Sequence, residues 1–223
     1  MDELELVVFD LAGTTVEDHG EVPAAFSAAL AGHGIEVTDA EIQNVRGASK
    51  RQALRHFIPA GPEQARLAEE VYASFRAHLA QRYAAGGVQA IPGAAAAFRW
   101  LRDRAVRVAL NTGFDRETTG LLLGALGWTA GIVDAVVCGD DVPQGRPAPY
   151  LIFRAMEATG ARSVHRVANV GDTTLDLQAG HNAGVRWNIG VLSGAHDRQA
   201  LESTPHTHLL SSVAEVARLW ETA

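Results

Sequence analysis

A single cysteine, Cys138, stands in 223 residues, so the chain can form no internal disulfide and nothing in it calls for an oxidising compartment. Nowhere does an apolar run reach the roughly 18 residues that a membrane helix needs. Cations are few against anions: 19 Lys and Arg face 26 Asp and Glu, a formal charge of −7. Nucleic acid and anionic membrane surfaces reward clustered Lys and Arg, so neither is an expected partner. Any phosphate handled here must therefore be held locally. The first residues carry Asp2, Glu3 and Glu5 ahead of a short apolar run, unlike the basic start of a secretory leader, and a cytoplasmic location is the expectation. Internal repeats are absent, and the alanine run at 94–97 simply favours helix.

What is present is an ordinary globular composition, 47% hydrophobic and 20% charged, enough for one substantial core and one smaller inserted unit. Four β-rich runs, LVVFD (6–10), VRVALNTG (106–113), AVVCGDD (135–141) and VANVGDTT (167–174), each end in polar or glycine-bearing residues, with a weaker fifth at WNIGVLSG (187–194). Helical stretches separate them, at 92–104, 116–127 and 148–160. This alternation predicts an α/β fold built on a doubly wound parallel sheet. The interval between the first and second runs is too long for one crossover helix. Its content is helical: Val71, Phe75, Leu79 and Tyr83 recur every four residues, and Thr38-Asp39 reads as a helix start. The expected division is a sheet domain of residues 1–16 and 92–223 and a helical cap of residues 17–91, hinged near 17–22 and 86–92.

The strand ends supply Asp10, then Thr112 with Gly113, then Arg146, then Asp172 and Asp176. Any one of these is unremarkable as a cap or turn residue. Together they gather three carboxylates, a hydroxyl and a cation at the edge where open α/β sheets bind ligands. Two or three carboxylates with a backbone carbonyl form a hard oxygen site suited to Mg²⁺. A carboxylate can also attack phosphorus to give an aspartyl-phosphate while a hydroxyl and a cation hold the other oxygens. Asp10 is the candidate nucleophile.

The segments DLAGTTV (10–16), GASK (47–50), TGFDRE (112–117), DDVPQGRPAP (140–149) and GDTTLDLQAGHNAG (171–184) resemble the haloacid dehalogenase superfamily of aspartyl-phosphate hydrolases across nearly the whole chain. The helical insert is similar to that superfamily's C1-type cap, on a Rossmann-like core. Within it, the segments look most like the phosphonatases, which hydrolyse phosphonoacetaldehyde, and their relatives. The resemblance implies Mg²⁺ held by Asp10, Asp172 and the Ala12 carbonyl, with Asp176 supporting the metal site from behind. It implies phosphoryl binding by Thr112 and the Gly113 amide, and neutralisation by Arg146, where most of the superfamily has lysine. Lys50 falls where phosphonatases form an imine with substrate, and a cap-mediated homodimer is implied as well.

Ala12 occupies the place where phosphatases of this superfamily carry an acid worth about 10² to 10⁴ in rate. An imine on Lys50 would make that acid unnecessary, because C–P cleavage then releases an enamine. Lys50 would need its pKa lowered from about 10.4, with the flanking Arg46 and Arg51 as sources of help. Three positions depart from the phosphonatase pattern: Arg46 replaces a methionine, Ala53 a histidine and Gly20 a cysteine-bearing position. Arg46 suggests a more anionic substrate. The expected partner is a small phosphonate or phosphate. The expected function is Mg²⁺-dependent C–P hydrolysis, with phosphate-ester hydrolysis and non-catalytic phosphate binding as the alternatives.

Overall fold

A computed structural model describes residues 4–128 and 131–221. Asp2 and Glu3 lie outside the described residues, as do 129–130 and 222–223. Six strands, β1 (Leu6–Asp10), β2 (Arg107–Asn111), β3 (Ala135–Val137), β4 (Val167–Gly171), β5 (Trp187–Val191) and β6 (His208–Leu210), form one sheet in the order β3-β2-β1-β4-β5-β6. Every pairing is parallel. The chain is an α/β protein with β1 at the centre, and the strand order reverses direction there.

The central strand β1 is a continuous apolar run up to Asp10 because both faces of the sheet are covered. Along β1, Val7 and Phe9 join one core cluster, and Leu6 and Val8 join the cluster on the opposite face. Among the helices, α1 (Glu21–Ala31), α2 (Asp39–Asn44), α3 (Lys50–Phe57) and α4 (Gln64–Gly86) all fall between β1 and β2. Further on come α5 (Ala94–Arg102), α6 (Arg116–Ala125), α7 (Tyr150–Thr159) and α8 (Thr174–Ala183). Phe98 and Leu101 of α5 pack on one sheet face; Leu151 and Ile152 of α7 pack on the other.

The helices α1 to α4 have a core of their own. Phe26 and Phe75 meet edge to face at 5.8 Å, with Leu54, Val71, Leu79 and Tyr83 around them. The four-residue spacing along α4 is thus one buried face of a long helix, as the periodicity predicts. Thr38 caps α2, accepting from the Glu41 amide while the Glu41 carboxylate accepts from the Thr38 amide, a capping box. Phe114 and Leu122, next to and within α6, extend from the sheet side into this second core.

Entry to and exit from the helical segment run side by side. Val16 bridges Ala90 in antiparallel fashion, the Glu17 amide donates to the Gln89 carbonyl, and the Ile91 amide donates to the Thr15 carbonyl, both at 2.9 Å. Among the described residues, no helix is long and apolar enough to cross a membrane.

Candidate active site

The register of the sheet explains why the acidic groups meet. Asp10 lies opposite Asn111 in the β1–β2 pairing, and Phe9 lies opposite Val170 in the β1–β4 pairing. Residues just beyond these ends, Thr112 and Asp172, are therefore brought to either side of Asp10. Asp10, Asp172 and Asp176 each place a carboxylate oxygen within 4.8 Å of the others, and all three are buried. Two placements differ from the strand-end reading. Asp176 sits in the first turn of α8 rather than on a strand, and Arg146 lies in the loop between β3 and α7, well past the strand end.

Each carboxylate is fixed by its own contacts. Asp172 accepts from Thr14 Oγ1 and from the Ala195 amide, both at 2.7 Å. Gly13, at φ 91°, lets the turn after β1 press against this group, since a Cβ there would collide with the Asp172 carboxylate. Asp176 belongs to a capping box with Thr173, whose amide donates to it at 3.0 Å, and its other oxygen pairs with Arg146 Nε at 2.8 Å. Asp10 pairs with Arg146 Nη2 at 2.6 Å, and the same nitrogen donates to the Asn111 side chain. Thr14 and Asn111 escaped the sequence reading, although both sit inside segments it singled out.

One guanidinium does not offset three buried carboxylates. Burial raises Asp10 to about 6, with Arg146 opposing and Asp176 adding repulsion. Burial raises Asp172 to about 7, reinforced by repulsion from Asp10 and Asp176. The cluster is an all-oxygen donor set short of positive charge, which fits a hard divalent cation rather than a soft one. Asp176 is held by Arg146 and Thr173 away from the cavity wall, whereas Asp10 and Asp172, although each accepts hydrogen bonds, line the cavity and face such an ion.

A cavity opens above Asp10 between the sheet edge and the helical segment. It is lined by Asp10, Ala12, Thr112, Arg146 and Asp172 from below and by Asp18, Arg46 and Lys50 from above. Thr112 contributes its buried side chain, whose hydroxyl accepts from the Phe114 amide at 3.2 Å. Gly113 sits beside the cavity rather than on its wall, and its carbonyl accepts from the Lys50 amide at 3.0 Å. Arg46 is engaged by Asp18, a buried carboxylate that also accepts from the Gly20 and Val22 amides at the start of α1. Asp18 was not singled out in the sequence, where residues 17–22 read only as a hinge.

Lys50 opens α3 and is 9% exposed. Its amine has one weak hydrogen bond, to the Ala48 carbonyl at 3.4 Å, and lies 4.9 Å from the centre of the Phe114 ring. Desolvation holds its pKa below the usual lysine value, helped by Arg146 and Arg46 and opposed by Asp10 and Asp18. Arg51 gives no such help: it turns outward to pair with Glu69 and stacks on Tyr72 at 4.4 Å. Ala53 is buried in the helical core, so the position that carries histidine in phosphonatases here faces packing rather than the cavity. His56 is exposed and packs edge to face on Phe57.

Residues 4–184 match the family model of haloacid dehalogenase-like hydrolases. A phosphonoacetaldehyde hydrolase of Bacteroides fragilis is 29% identical over 233 aligned positions, covering 97% of this chain and 88% of that protein. Another, from Syntrophobacter fumaroxidans, is 30% identical and covers 87% of this chain and 74% of its own length. Among solved structures, a hydrolase from Pseudomonas syringae superposes with a TM-score of 0.85 at 24% identity, covering 98% and 99% of the two chains. A phosphonoacetaldehyde hydrolase-like protein from Oleispira antarctica gives 0.83 at 23% identity, covering 97% and 91%.

Proposed function

The chain belongs to the haloacid dehalogenase-like hydrolases, as a phosphonatase-like member, and from that premise we propose that it hydrolyses the C–P bond of phosphonoacetaldehyde or a closely related carbonyl phosphonate. The observation that carries this reading is Lys50: a buried amine with depressed basicity, weakly bonded, on the wall of the cavity whose floor is Asp10. An amine so placed is suited to condense with a carbonyl. A lysine kept only to attract phosphate works better charged and solvated.

In this proposal the Lys50 amine condenses with the substrate carbonyl, releasing water and giving a protonated imine. Asp10 attacks phosphorus, the C–P bond breaks, and its electron pair moves into the imine to form an enamine. Asp10 carries the phosphoryl group until water hydrolyses it to phosphate. The enamine takes up a proton and hydrolysis of the imine frees the aldehyde and Lys50. Because the electrons leave through nitrogen, no acid is needed two residues beyond Asp10, and Ala12 leaves room there.

Thr112 holds a phosphoryl oxygen in this reading, the Gly113 amide reaches one only if the phosphoryl group extends past the cavity wall, and Arg146 offsets charge on Asp10 and the phosphoryl group. Arg46 shapes the outer part of the cavity. Residues that would hold Mg²⁺ are Asp10, Asp172 and the Ala12 carbonyl, with Asp176 steadying the site through Arg146. Bound there, the ion would supply charge neutralisation between the carboxylate and a phosphoryl oxygen. Residues 17–91 act as the cap that selects the organic part of the substrate, over a sheet domain of residues 1–16 and 92–223.

Borohydride added together with phosphonoacetaldehyde tests the imine directly. Reduction should inactivate the enzyme and leave a mass adduct on the peptide containing Lys50. Lys50→Arg keeps the cation but forms no imine, so kcat should collapse rather than KM rise. No adduct and a largely retained kcat in Lys50→Arg would leave a metal-dependent phosphate-ester phosphatase with an unusual Ala12.

A further inference from the structure

The loop formed by residues 46–50 is seated on the sheet domain by backbone contacts that three glycines permit. Gly47 has φ 88°, and a Cβ on it would collide with the Thr173 hydroxyl. From the opposite side, a Cβ on Gly113 would collide with the Ala48 carbonyl. One on Gly145 would stand 2.9 Å from Ser49 Cβ and 3.2 Å from the Ser49 nitrogen. Two hydrogen bonds close this seam. The Lys50 amide donates to the Gly113 carbonyl at 3.0 Å, and Arg146 Nη1 donates to the Gly47 carbonyl at 3.1 Å.

Arg146 therefore uses each of its three guanidinium nitrogens. Nη1 holds the loop, Nη2 reaches Asp10 at 2.6 Å and the Asn111 side chain, and Nε reaches Asp176 at 2.8 Å. A guanidinium is a rigid plane. Pinned at Nε by Asp176 and at Nη1 by Gly47, it has one orientation left, and in that orientation Nη2 lies on Asp10. Lysine, with a single terminal nitrogen, cannot hold points so far apart at once.

We infer that Arg146 couples seating of the 46–50 loop to the state of Asp10, with Gly47, Gly145 and Asn111 as positioning residues. The same docking step that brings Lys50 to the cavity locks the guanidinium onto the carboxylate. An unseated loop removes the Gly47 anchor at Nη1 and leaves the guanidinium held only by Asp176, Asn111 and Asp10 itself, so the counter-charge on Asp10 is less firmly fixed. The significance for catalysis rests on the proposed role of Asp10 as nucleophile; the coupling itself does not depend on that role.

Coupling between two sites is reciprocal, so loosening the guanidinium on the sheet side must loosen the loop. Hydrogen exchange of the Lys50 amide, read in metal-free wild-type protein and in Arg146→Lys and Asn111→Ala, reports this without any substrate. Neither residue 146 nor 111 bonds that amide. Exchange should be about fivefold faster or more in both variants, the equivalent of one hydrogen bond lost. Unchanged exchange in a folded Asn111→Ala would overturn the coupling, even if Arg146→Lys fails to fold.

A second arm uses bulk at the seam. Gly145→Ala should lower turnover roughly tenfold, mainly in kcat, and speed Lys50 amide exchange. Ser49→Gly removes the opposing Cβ, and since Ser49 makes no capping bond it should leave turnover within about twofold. Combined with Gly145→Ala it should restore most of the lost turnover. If the pair is no better than Gly145→Ala alone, loop seating is not what Gly145 protects. Should no phosphonate or phosphate turn over in any of these proteins, the proposed function fails while the exchange result still decides the coupling.

Discussion

At Asp10 the molecule holds a carboxylate where stability alone would not place one. It is buried, repelled by Asp176, and raised to about 6 despite its bond to Arg146. Asp10→Asn removes that burden along with the proposed nucleophile. Metal-free Asp10→Asn should melt at or above the wild-type temperature, while kcat falls by a factor on the order of 10⁴ or more. Mg²⁺ should raise the melting temperature of the wild type through binding to the folded state, and raise that of Asp10→Asn much less. Equal Mg²⁺ stabilisation of the two proteins would remove Asp10 from the metal site. Ala12 makes the complementary case. An acid there would assist departure of an alkoxide but would crowd the approach of Lys50 to a phosphonate. Ala12→Asp should therefore slow C–P cleavage and speed hydrolysis of a simple phosphate ester, by up to about 10². A variant faster on both substrates would mean that the alanine is not an adaptation to imine chemistry.

Elements show which parts of the site could be read in advance. The strands β1, β2, β4 and β5 were legible because a parallel strand covered on both faces is mostly apolar and stops at a polar or glycine-bearing end, although Asn169 and Asn188 interrupt β4 and β5. β6 was not: His208–Leu210 is three half-buried residues at the sheet edge, too short to carry a period. The carboxylates were legible because they terminate or closely follow strands. Asp18 and Asn111 were not, since their importance lies in partners far along the chain, Arg46 and Arg146. The flanking arginines of Lys50 illustrate the same limit. Sequence adjacency treats Arg46 and Arg51 alike, yet helical geometry turns Arg51 outward to Glu69 and leaves Arg46 on the cavity. The start of α8 offers a test at this scale. Thr173→Ala loses the capping bond, at about 1 kcal/mol, and frees Asp176 from one side. The melting temperature should drop by about 2–4 °C. kcat should drop as well, because Asp176 no longer steadies Arg146, and Thr173→Ser should recover both. A stability loss with kcat intact would separate the cap from the chemistry.

Across the whole molecule, the division of labour between two cores makes cap and sheet separable in principle. The helical core is built around Phe26, Leu54 and Phe75, and among the described residues Phe114 and Leu122 reach into it from the sheet side, with Ala12 packed against it. All the tryptophans fall on the other side: Trp128 and Trp220 are buried in the sheet core, with Trp100 and Trp187 packed against it. Tryptophan emission thus reports the sheet alone, whereas far-ultraviolet circular dichroism reports both parts. Phe75 is fully buried, and truncating such a ring costs about 3–5 kcal/mol. Phe75→Ala should withdraw that amount mostly from the helical segment. Its thermal unfolding should then split, with helical signal lost at lower temperature than the change in tryptophan emission, and turnover should follow the first transition. The seam at Gly47, Gly113 and Gly145 would open in that first transition, so Lys50 amide exchange should rise with the loss of helix and precede the emission change. Coincident curves would show that helices α1 to α4 do not unfold on their own. The proposed cap would then be an integral layer of one cooperative fold, and substrate would have to enter without wholesale displacement of helices α1 to α4.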